Sequence, residues 1–247
     1  MIIKTLQCFF IVPIFFINYC LGQTVTNDTT TQKAAIVNVV NAYNHVIGEQ
    51  SRLYNGPEYE LYDPIIKGNA YFLDINAFKP GNVNYDGIYY PDVPIMYDLN
   101  KDEVVVLLYN NFSKFSLLSN RVQSFDLSGH HFVYLTADTL HTTFPINTGF
   151  YDEAYRGKLQ LFVKWSKSIQ TATTSTTIES YFSPKKSIYL KKDEKYYSVS
   201  GQGNFLKVLK DKKKELLQYI RANNITFDNN PEKAMYMIVA RYDQLSK

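Results

Sequence analysis

The stretch GNVNYDGIYYPDVPIMYDLNKDEVVVLLYNNFSKFSLLSNRVQSFDLSGHHFVYL, residues 81–135, decides the fold. Short apolar and aromatic runs alternate in it with polar breaks. Asp86-Gly87 stands between Val83-Asn84-Tyr85 and Ile88-Tyr89-Tyr90, and Asp-Gly between alternating runs is the strongest local hairpin signal. Val93–Asp98, Glu103–Tyr109, Phe115–Leu118, Arg121–Leu127 and, beyond the turn Ser128-Gly129, His131–Leu135 follow at strand spacing. Locally connected runs of this kind build an antiparallel sheet.

Downstream, Leu159–Trp165 reads as a strand that carries the single tryptophan, and the Thr-rich stretch 171–177 as a hairpin loop. Ser187–Leu190 and Lys195–Val199 flank Lys191–Glu194 as a last hairpin. Past Gly201–Gly203 the apolar period changes from two to about 3.6. Leu206, Leu209, Leu216 and Ile220 then share a face, with lysines 207, 210 and 212–214 as a solvated opposite side. Asn223-Asn224 ends that helix. Asn230-Pro231-Glu232 opens another as N-cap, first-turn proline and early acid. Upstream, Ile36, Val40, Tyr43 and Ile47 have helical spacing, and Ala70–Leu73 reads as the first strand. The expected fold is α+β. It places a helix at 32–52, a β-meander of roughly eight to ten strands at 70–199 and a helical hairpin at 203–246 packed on the sheet.

The start of the chain reads as a secretory signal over residues 1–22: Lys4, then a mostly apolar run from Leu6 to Leu21 interrupted by Pro13 and Asn18. That run is shorter than the ~20 apolar residues a membrane span needs. A single domain is expected from 23 to 247. Cys8 and Cys20 are the only cysteines, so the mature chain has none, and disulfides, zinc–thiolate sites and cysteine nucleophiles go together. Lipid attachment at Cys20 is the alternative, disfavoured by the bulky Tyr19 before it. With 26 basic and 23 acidic residues the net charge is +3, which argues against nucleic acid as a partner. The 21 tyrosines fit half-buried strands first, and flat sugar- or protein-binding surfaces second.

Tyr54–Tyr59, Gly87–Asp98, Gly149–Tyr151 and Leu209–Leu216, in this order, together with a leader ending Leu-Gly-Gln, resemble a pattern in uncharacterised secreted proteins of Bacteroidota, a family without assigned activity. The resemblance implies a Gram-negative envelope setting and a fold shared along the mature chain. It implies no catalytic residue and no cofactor.

Catalytic patterns are sparse. Gly-x-Ser-x-Gly is missing, and Gly201-Gln202-Gly203 lacks the lysine of a phosphate loop. Asp92, Asp98, Asp102 and Glu103 could supply calcium ligands or a glycosidase pair, but Asp98 and Asp102 read first as turn residues. The histidine cluster offers a metal set of His131, Asp138 and His141; His130 would point to the opposite strand face. The functional expectation is an exported, non-catalytic envelope or interaction protein, in the periplasm or outside the cell, whose partner is another envelope protein. The alternative is a lipid- or glycan-binding module using the concave face of the sheet.

Overall fold

The computed structural model describes residues 52–137, 145–173, 177–228 and 230–246, with Gln32, Ala35, Ile36, Asn38, Val39 and Ala42. One ten-stranded antiparallel sheet organises it. Its strands are β1 (Lys79–Tyr85), β2 (Ile88–Asp98), β3 (Glu103–Leu107), β4 (Lys114–Ser116), β5 (Val122–Leu127), β6 (His130–Leu135), β7 (Gly149–Arg156), β8 (Gln160–Thr173), β9 (Ile178–Lys192) and β10 (Lys195–Val199). Helices α1 (Gln202–Val208), α2 (Lys213–Ala222) and α3 (Pro231–Leu245) follow. The α+β class and the meander expected from the sequence are both present. The six described residues from 32 to 42 are helical and exposed, Ile36 and Val39 among them. Among the described residues, no helix is long and apolar enough to cross a membrane.

The turns work as their residues dictate. Asp86 and Gly87 have φ of 55° and 76°, and Ser128 and Gly129 have 52° and 83°. These left-handed pairs match the twist of the strands they join. The order β10-β9-β8-β7-β6-β5-β1-β2-β3-β4 is not one continuous meander, however. After β4 the chain passes through a turn at Ser119–Arg121, and β5 returns to lie beside β1. Two meanders, β1–β4 and β5–β10, therefore meet where β1 pairs with β5.

The sheet is strongly curled. The Phe72 ring centroid lies 5.1 Å from that of Trp165 on β8 and 6.3 Å from that of Tyr97 on β2. Five strand steps separate β8 from β2 in the order above, about 24 Å in a flat sheet. One ring can reach both only if this face is concave. The Lys167 N–H of β8 also donates to Leu99 O, just after β2, at 3.0 Å. The concave face is filled by Phe72, Tyr97, Phe125, Phe132 and Phe150 toward β1–β6, and by Leu161, Val163, Ile188 and Leu190 under the helices toward β8–β10. Trp165 packs against both clusters.

Two expectations are corrected. Ala70–Leu73 is not a strand but a bridge at Tyr71 followed by a 3-10 turn over Phe72–Asp74, with Leu73 and Asp74 at φ of 55° and 59°. Lys167, 7 % exposed, holds this turn by donating to Asn69 O and Tyr71 O at 2.9 Å and pairing with Asp74 at 2.5 Å. The first helix of the C-terminal hairpin is broken at Leu209 into α1, a 3-10 turn at Lys210–Lys212, and α2. Phe205, Leu206 and Leu209 before the break and Leu216 and Ile220 after it all reach the core. The sheet is also covered on its outer side, where Tyr59, Ala70 and Tyr71 pack on Met96 and Val105. Asn230 caps α3 as expected, its side chain accepting from the Lys233 N–H at 2.9 Å.

Gly149 makes a local test of this frame. Its φ is +148°, and an added Cβ would lie 2.1 Å from Asp102 Oδ2 and 2.7 Å from Lys164 Nζ, which pair with each other at 2.6 Å. Gly149→Ala forces that part-buried pair open and should lower stability by about 2 kcal/mol, read from chemical unfolding. An unchanged midpoint would show that the pair adjusts freely.

Candidate functional site

The seam marked by Trp165 opens to solvent beside the first turn of α3. There a cleft of about 460 Å³ is lined by His130, Asp152, Trp165, Lys186, Glu232 and Tyr236, among others. β6 supplies the histidine, β7 the aspartate, β8 the tryptophan, β9 the lysine and α3 the glutamate and tyrosine. Register brings them together. Phe132 on β6 opposes Asp152 on β7, which in turn opposes Val163 on β8. His130 shares its face with Phe132, and Trp165 shares its face with Val163, because side chains alternate along a strand.

Asp152 is 2 % exposed and carries two bonds. His130 Nδ1 lies 2.6 Å from its Oδ2, and Trp165 Nε1 donates to the same oxygen at 3.2 Å. Lys186 Nζ sits 3.6 Å from the centroid of the Trp165 ring and pairs with Glu232 Oε2 at 2.9 Å. Tyr236 packs edge-on against Tyr155. The cleft thus offers paired opposite charges, mixed donors and acceptors, and aromatic rings. Phe72 backs it from the core, its ring 5.0 Å from that of His130.

The bond to Asp152 raises the His130 pKa above its ordinary 6.5; burial opposes this, and the Asp152 and Glu232 charges add to it. A raised value in the folded state means that the stability contributed by the pair is fully present below pH 6.5. It is lost as pH climbs through the raised value. The wild-type unfolding midpoint should therefore fall as pH rises above about 6.5, and His130→Gln should flatten that slope. Parallel pH profiles for the two proteins would refute the assignment.

His131 does not join this site through its ring nitrogen. It turns to the other face and its Nδ1 lies 2.6 Å from Asp126 Oδ1. Asp138 and His141 lie outside the described residues, and among those described no three His, Cys, Asp or Glu side chains form a metal-holding group. Asp98 is a turn residue, as its sequence suggests, accepting from the Asn100 and Lys101 N–H groups at 2.8 and 3.0 Å. It is also fully buried, and binds the Tyr59 hydroxyl at 2.7 Å and the Tyr62 hydroxyl at 2.9 Å. Asp102 belongs to the Lys164 pair. Lysines 207, 210, 213 and 214 are exposed, as a solvated helix face requires.

Sequence reasoning missed Asp152, Lys186 and Glu232 as partners. One signal was available for the first. In Phe150-Tyr151-Asp152, a carboxylate takes the same strand face as an inward phenylalanine, which asks for a buried partner. Comparison of the chain with protein-family models, with curated proteins and with solved structures finds no match.

Proposed function

We propose that this protein is an exported, non-catalytic binding module that holds a glycan in the cleft between the sheet and α3. The observation that carries the reading is the convergence of His130–Asp152, Lys186–Glu232 and the rings of Trp165 and Tyr236 in one cleft. A sugar presents hydroxyls that both donate and accept, and C–H faces that stack on aromatic rings. A lining of paired charges with no large excess of either sign suits it better than an anion, and its polarity suits it better than an acyl chain. The volume lies within the usual range for small-ligand sites. The apolar leader from Leu6 to Leu21 supports export, and the secreted Bacteroidota pattern supports an envelope setting.

Calorimetry or thermal-shift titration of the purified protein against a panel of neutral oligosaccharides tests this. Saturable binding that Trp165→Ala removes is the expected result. A panel without a hit, set against saturable binding of fatty acids, would replace glycan with lipid.

A second reading, contact with another envelope protein, draws on the outer half of the long β8–β9 hairpin. Ile169, Ile178 and Tyr181 are exposed there. In-envelope crosslinking from this hairpin should recover one specific protein, and recovery of background alone would remove the reading.

A further inference from the structure

Beside the cleft on β6–β8 lies a second hollow of about 370 Å³, against β9, β10 and the same end of α3. Lys186, Asn230 and Glu232 line both hollows. The ion pair of Lys186 and Glu232 runs from β9 to α3, so it stands where the two meet. Ser187, Ser198 and Ser200 also line the second hollow.

We infer that the two hollows are one groove crossed by a removable Lys186–Glu232 bar, and that the groove takes an extended oligosaccharide rather than a single sugar. This rests on the glycan reading above and specifies its substrate. The bar is weakly held: the side chains of Lys186 and Glu232 are 45 % and 21 % exposed, and ion pairs at such positions contribute little. The ammonium of Lys186 occupies the Trp165 face, the surface on which a sugar ring would stack. An arriving chain displaces it. The released lysine then donates to sugar oxygens, and the Glu232 carboxylate accepts from sugar hydroxyls. Every group of the bar regains a partner, and the exchange costs little. Monosaccharides fill one hollow without moving the bar, so they gain nothing from the second.

Trp165 is the only tryptophan in the chain, so intrinsic fluorescence reports the exchange in the wild-type protein. The probes are linear chito-oligosaccharides and cello-oligosaccharides, from monosaccharide to hexasaccharide. Affinity should rise with length until both hollows are filled, then level off, and only the longer chains should shift Trp165 emission. Glu232→Gln unlatches the bar and should raise the ratio of hexasaccharide to disaccharide affinity by about threefold. Lys186→Met, which removes the ammonium from the ring, should move the emission of the free protein in the direction the long chains do. Binding that is independent of length, with no emission change, would overturn the groove and leave the glycan cleft standing. Failure of all the sugars to bind would overturn both.

Discussion

Phe72→Ala lowers the free energy of unfolding by about 4 kcal/mol, the largest effect expected of any single core truncation here. The ring is 3 % exposed and meets His130, Phe132 and Trp165 edge-on at 5.0 to 5.1 Å. Truncation removes apolar burial, three edge-to-face contacts and the filler of a concave space that rigid strands cannot close. The site should register it as well. With its neighbour gone, Trp165 becomes wetter, and its emission should move to longer wavelength before global unfolding. Urea titration followed by fluorescence and by far-ultraviolet dichroism measures both. A loss near 1 kcal/mol with unchanged emission would mean that the sheet holds its curl without this ring.

Asp98→Ala follows at about 3 kcal/mol. The carboxylate is fully buried and accepts two tyrosine hydroxyls and two backbone N–H groups. Burial first, and then the Asp98 charge and hydrogen bonds, push the Tyr59 and Tyr62 hydroxyls well above the usual tyrosine range, so both stay donors at any physiological pH. Removing the acceptor strands four donors, two of them on backbone that closes the β2–β3 turn. Tyr62→Phe removes one donor and leaves the acceptor satisfied, so about 1 kcal/mol is expected. If Asp98→Ala cost no more than Tyr62→Phe, water would be replacing the carboxylate and the network would be incidental.

What the sequence made legible was local. Asp86-Gly87, Ser128-Gly129 and Asn230-Pro231 encode backbone geometry within a few residues, and each forms as read. The return of β5 to β1 was not legible, because the choice of partner strand is made by long-range burial and not by any turn. Ala70–Leu73 misled for a related reason. Aromatic residues favour strands, yet Lys167, far along the chain, gathers the carbonyls and imposes a turn. The site shows the same divide. His130 was visible as a histidine facing away from His131, but Asp152 and Lys186 become its neighbours only once the registers of β6–β7 and β8–β9 are known.

The junction of β1 with β5 has a kinetic consequence. Each half of the sheet can zip from hairpins, whose closures are short and fast. Joining the halves requires Val83 to find Phe125 and Gly81 to find Leu127 across the whole first meander, before any local contact rewards the loop that must close. That docking sets the tempo of refolding, and the groove beside α3, lined wholly by the second half and the helices, can assemble without waiting for it. Refolding followed by Trp165 emission should therefore show an early phase that truncation of Val83 leaves alone and a later one that it slows; a single phase, slowed throughout, would mean that both halves form together.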